Sequence, residues 1–192
     1  MNNNIRKLSY TVLFAALNFV VFTFAKINIP VGAGGTVAIH VANAVVVLSA
    51  WLIGPKYGGL AGAIGLSIAD VMDPLYVASA PKTFFLKFMI AWIAGTLARR
   101  MGLHETEDPK EITLITLISA VAALGFNVVF EPVLSYVYKR FLLRTTAEAA
   151  AILTTWMAGV TLLNACICTV VSVLLYRALY RTYRARLKEL FG

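Results

Sequence analysis

Long apolar runs, broken by short polar or Gly/Pro-rich stretches, set the plan of this chain. A bilayer span needs about 20 predominantly apolar residues, so runs of this kind predict membrane-crossing helices. They place helices over about 7–25, 36–53, 57–72, 81–99, 112–138 and 149–176. Pro30 and the Gly32-Ala33-Gly34-Gly35 segment mark a loop after the first run. Gly54-Pro55 stops the second run and Asp73-Pro74 the third. Pro81 suits a first helical turn, where its missing N–H breaks no hydrogen bond. Residues 99–111 read as a solvated loop, and the basic amphipathic tail 177–192 is expected along the membrane surface. The fold class that follows is an all-α integral membrane protein of six transmembrane helices.

Composition supports the bilayer as solvent. Hydrophobic residues make up 60% of the 192 and charged ones 14%, with a mean hydropathy of +0.80. A soluble domain of this size needs more charge to cover its surface. Six spans use most of the chain and leave no room for a separate catalytic or nucleotide-binding domain. The N-terminal run reads as a retained first helix and not a cleaved signal.

The net charge of +8 would point to nucleic acid in a soluble protein. Here the cations follow membrane topology instead, and no nucleic-acid partner is expected. With the N-terminus inside, Arg6, Lys7, Lys56, Arg99, Arg100, Lys110 and the basic tail share the inner side. Lys26, Lys82, Lys139, Arg140 and Arg144 fall outside, the last three against the trend. The positive-inside rule then makes both termini cytoplasmic in a multi-pass protein of the plasma membrane.

Polar groups inside a membrane are expensive, which makes them the best functional pointers. His40 and Asn43 open the second run, and Asp70 closes the third. Lys87 is early in the fourth, Asn127 and Glu131 are late in the fifth, and Trp156 and Asn164 are in the sixth. Alternating chain direction brings most of them to the outer half, as a solute cavity open to the exterior requires. Competing structural roles exist. Asp70 and Lys87 can instead form a buried ion pair locking two helices, and the asparagines can be interhelical glue, Asn164 above all. Trp156 also fits an interfacial aromatic belt, and Tyr76 stands in the outer loop.

Thr11/Ala15 and Val12/Ala16 are spaced i, i+4 on the first helix and offer a small-residue stripe for another membrane protein. Cys166 and Cys168, two apart, face different sides of a helix and read as packing, so no metal site is expected. No catalytic constellation can be assembled either. Gly54-Pro55-Lys56-Tyr57-Gly58-Gly59 lacks the spacing and hydroxyl of a phosphate-binding loop.

Certain stretches, in this order, resemble the S components of energy-coupling factor (ECF) transporters. They are Lys26-Ile27-Asn28-Ile29-Pro30, Leu52-Ile53-Gly54-Pro55-Lys56-Tyr57-Gly58-Gly59, Ala69-Asp70, and Ala80-Pro81-Lys82-Thr83 with Lys87. The stretch Asp73–Pro81 looks like the riboflavin, hydroxymethylpyrimidine or pyridoxine branch. The resemblance implies that residues 1–192 form one transmembrane substrate-binding domain that captures a water-soluble vitamin or precursor and is not an enzyme. It implies docking onto a transmembrane coupling subunit with two cytoplasmic ATPases, which use the ATP. This chain would bind no cofactor. The expected pocket residues are His40, Asn43, Asp70, Tyr76, Lys87, Asn127, Glu131 and Trp156, with Lys26 and Asn28 at the lid. Thr11, Val12, Ala15 and Ala16 are the expected docking residues. The rival readings are a stand-alone secondary transporter, which would move solute alone in liposomes, and a ligand-free membrane scaffold.

Overall fold

The computed structural model describes residues 3–31 and 35–191, with side chains described over 5–31 and 35–180. The helices are α1 (Asn3–Phe24), α2 (Ala42–Ile53), α3 (Pro55–Met72), α4 (Ala80–Arg100), α5 (Pro109–Val137) and α6 (Ala147–Phe191). Strands β1 (Lys26–Val31) and β2 (Gly35–His40) form an antiparallel hairpin between α1 and α2. Four helical stretches are long and apolar enough to cross a membrane: Ile5–Phe24, Val77–Arg100, Pro109–Leu142 and Ala147–Tyr180. α2, at 12 residues, is too short by this measure. α3 is diluted by four glycines and the polar Lys56, Ser67 and Asp70.

The hairpin corrects the expected second helix. The expectation of a helix from residue 36 fails over 36–40, which is strand. Thr36-Val37-Ala38-Ile39-His40 is rich in β-branched residues and faces the alternating Lys26-Ile27-Asn28-Ile29. Register runs from Lys26↔His40 through Asn28↔Ala38 to Val31↔Gly35. Pairing satisfies backbone groups that would otherwise be orphaned where no helix begins. The fold is therefore helical with one hairpin, not purely α.

Local chemistry explains the other boundaries. Gly54 separates α2 from α3 at φ +93°, a left-handed conformation open to glycine, and Pro55 follows as the first residue of α3. Asp108 caps α5 by accepting from the Lys110 N–H at 3.0 Å, so α5 starts earlier than its apolar run. α6 continues without interruption to Phe191. Whether its polar face lies along a membrane surface concerns side chains 181–192, which lie outside the described residues.

All 12 residues of α2 are buried, and α3 packs between α1, α2 and α4. Small residues permit these approaches. A Cβ on Gly58 would stand 2.6 Å from the Ala50 Cα, and one on Gly65 would collide with the Ala15 carbonyl oxygen. The glycine face of α3 is thus used internally. Trp51 anchors the other end of α2, donating to Ser119 Oγ at 3.0 Å and meeting the Tyr176 ring edge-on at 5.5 Å.

Candidate functional site

At one end of the bundle α1, α3 and α5 finish while α2, α4 and α6 begin, and a polar cavity lies between them under the hairpin. Its wall includes Phe22 of α1, Val37 and His40 of β2, and Asn43 of α2. Leu66 and Asp70 come from α3, Tyr76 from the following turn, and Lys82, Thr83 and Lys87 from α4. Asn127 and Glu131 come from α5, Met157, Thr161 and Asn164 from α6. About 90 Å³ of it is open to the centres of water molecules.

Charges in this wall are paired selectively. Lys82 forms an ion pair with Glu131, and its ammonium also donates to Ser135 Oγ at 2.6 Å. Asp70 accepts from Thr83 Oγ1 at 2.6 Å, tying α3 to α4. The alternative of an Asp70–Lys87 ion pair is not formed. Lys87 is buried and, among the described residues, makes neither a hydrogen bond nor a salt bridge. Also without hydrogen-bond partners are His40 Nδ1, Asn43 Oδ1 and Asn127 Oδ1. Buried polar atoms almost always find partners, so these orphans leave hydrogen-bonding capacity unused in the wall.

Strand β2 forms part of the cavity wall, and the hairpin is held from both sides. Asn164 Oδ1 accepts from the His40 N–H at 3.1 Å, and its Nδ2 donates to the Ala38 carbonyl at 2.9 Å. Cys168 Sγ approaches the His40 carbonyl at 3.6 Å. Opposite, Lys26 pairs with Asp73 at 2.5 Å, and Tyr76 donates its hydroxyl hydrogen to Asn28 Oδ1 at 2.9 Å. The Lys26 ammonium also sits 4.6 Å from the Phe22 ring centre and 4.8 Å from that of Tyr76.

At Asp73 slight burial pushes the carboxyl pKa up. The Lys26 hydrogen bond, the Leu75 N–H and the Lys26 charge outweigh it, holding Asp73 below the usual carboxylate range. The Tyr76 hydroxyl is pushed up to about 12 by burial and by the Asp73 and Asp70 charges, so it stays a donor.

His40, Asn43, Asp70, Tyr76, Lys87, Asn127 and Glu131 are thus placed together around one cavity, with Lys26 and Asn28 in its latch. Trp156 is elsewhere. It is 53% exposed and absent from the wall, although Met157 and Val160 beside it on α6 line the cavity. The α1 stripe divides. Thr11 is buried and donates to the Lys7 carbonyl at 2.8 Å, Ala15 lies against Gly65, and Val12 and Ala16 are exposed. Sequence reasoning missed Phe22, Lys82 and Thr83 as wall residues. Thr83 and Lys87 stand one helical turn apart, and that spacing was a usable signal. Asn164, expected as glue, is both glue and wall. Among the described residues no three of His, Cys, Asp and Glu gather to hold a metal ion.

Residues 2–181 match the family described as ECF-type riboflavin transporter, S component. The chain belongs to that family. S components are substrate-binding subunits of vitamin transporters, so this is a multi-pass membrane transport protein. No curated protein matches the chain.

Proposed function

We propose that this S component captures a small heterocyclic vitamin or precursor from outside the cell and delivers it inward with an ATP-driven module. Hydroxymethylpyrimidine, pyridoxine and riboflavin define the class. The whole chain acts as one substrate-binding domain, with six passes through the plasma membrane, both termini cytoplasmic and the cavity facing out. The observation carrying this reading is a cavity of unpartnered polar groups under a latched hairpin, in a chain whose family match runs almost end to end. His40, Asn43, Asp70, Lys87, Asn127 and Glu131 line the substrate, Tyr76 stands beside it, and Lys26 and Asn28 hold the lid.

The energy comes from partners: a transmembrane coupling subunit and two cytoplasmic ATPases. α1 is the docking helix in this reading. Its free stripe is Leu8, Val12, Ala16 and Val20, four residues apart and all exposed, while Thr11 and Ala15 turn toward α3. Native mass spectrometry of the gently purified protein tests the proposal. The expected result is a bound mass matching a vitamin or precursor. An empty protein that also ignores an added vitamin panel would favour a scaffold, and solute movement by the chain alone in liposomes would favour a secondary transporter.

A further inference from the structure

Four charged groups line the cavity, and three are already engaged within the wall. Lys82 is bound to Glu131 and Ser135, and Asp70 to Thr83. The fourth is Lys87, 7% exposed, whose ammonium has no such partner among the described residues. A buried ammonium without an acceptor is strongly unfavourable, and an oxyanion brought by the solute would relieve it.

Space is the second observation. About 90 Å³ is open to the centres of water molecules, room for about six to nine waters at roughly 10–15 Å³ each. That is enough for a heteroaromatic ring beside Lys87.

A third observation concerns shape. Phe22 stands edge-on to His40 at 5.0 Å and to Tyr76 at 6.1 Å, forming an aromatic wall beneath the hairpin. A flat ring placed against it gains stacking or edge contacts. The unpartnered oxygens of Asn43 and Asn127 then accept from hydroxyl or amino substituents.

We infer that the solute is a heteroaromatic molecule carrying an anionic ring oxygen or carboxylate that pairs with Lys87. This refines the capture reading above and rests on it. Within a family named for riboflavin, this chain selects a solute with an oxyanion.

The test uses the full-length protein in detergent and isothermal titration with four probes: riboflavin, pyridoxine, pyridine-3-carboxylate and the neutral pyridine-3-carboxamide. At least one of pyridoxine and pyridine-3-carboxylate is expected to bind at least tenfold more tightly than both riboflavin and the carboxamide. Lys87→Met is expected to erase that preference. The empty variant should still unfold cooperatively, so that a lost preference reads on binding and not on folding. Riboflavin, neutral near pH 7, binding as tightly as the better anionic probe overturns the oxyanion requirement and leaves the capture reading standing. Carboxamide binding as tight as that of the better anionic probe, or survival of the preference in Lys87→Met, overturns the role of Lys87. Failure of all four probes, with no vitamin found in the native mass spectrum, removes the capture reading as well.

Discussion

Removing one half of the Lys82–Glu131 pair should destabilise the protein far more than removing both. Lys82→Met leaves the Glu131 carboxylate, 14% exposed, without its cation, and leaves Ser135 Oγ without the ammonium donor. Breaking a buried ion pair from one side costs about 3–5 kcal/mol, largely through the stranded charge. Replacing both partners by uncharged groups of similar shape is close to neutral. For a chain of this length each kcal/mol moves the midpoint by about 2–4 °C, so Lys82→Met should melt roughly 6–20 °C lower. Lys82→Met with Glu131→Gln should regain most of that loss. The assay is thermal unfolding of the empty protein in detergent, followed by tryptophan fluorescence and read as a double-mutant cycle. Ligand titration runs in parallel, because both residues line the cavity and either single variant should weaken binding. A single-variant cost below about 1 kcal/mol, within the range of exposed pairs, would show that solvent already screens this one. So would a double variant equal to the sum of the singles, and either result refutes the buried-pair reasoning.

Asn164→Ala removes both clamps on β2 and strands the His40 N–H and Ala38 carbonyl. We expect a loss of about 1–3 kcal/mol and faster amide exchange in the hairpin, and unchanged exchange there would contradict the clamp. Gly65→Leu should force α1 from α3, since even a Cβ strikes the Ala15 carbonyl. Overpacking of this kind costs about 1–3 kcal/mol, checked by thermal unfolding. The Asp73 latch has a defined pH sign. Its folded pKa is depressed, so the contribution is complete above the unfolded value of 3.8 and is lost as pH falls through the lower folded value. Ligand release rates should therefore not change between pH 5 and 8 on account of Asp73, whereas Asp73→Asn should speed release at pH 7. Trp156→Ala should leave the dissociation constant unchanged, because Trp156 is more than half exposed and outside the wall; a tenfold loss would return it to the site.

Much of this arrangement is legible in the sequence. Apolar runs and Gly/Pro breaks locate every helix, because helix period and chain-breaking chemistry are local properties. The gathering of His40, Asn43, Asp70, Lys87, Asn127 and Glu131 follows from counting residues along helices of alternating direction. The hairpin was hidden because its strands sit inside, or just before, an apolar run long enough for a helix. The alternation of Ile27-Asn28-Ile29 against Thr36–His40 distinguishes strand from helix only when the two segments are set side by side. Partner choice was hidden too. Lys82 takes Glu131 and, among the described residues, Lys87 is left without a hydrogen bond or salt bridge, while Asp70 takes Thr83, outcomes set by side-chain reach across α3, α4 and α5. Trp156 misled because depth along a helix says nothing about the direction in which a side chain points.

The burial of α2 on every side bears on how the protein enters the membrane. Twelve residues at 1.5 Å per residue give about 18 Å, well short of a hydrocarbon core about 30 Å thick. A segment this short cannot partition stably into lipid as an independent rod. The hairpin ahead of it carries backbone groups that lipid cannot solvate, so they must be satisfied within the protein. Insertion machinery can therefore seat α1, α4, α5 and α6 by their own hydropathy, while the hairpin and α2 enter only as those neighbours supply walls. Biogenesis of the folded form is then inseparable from assembly, and the polar cavity does not exist until the last piece of the bundle is in place.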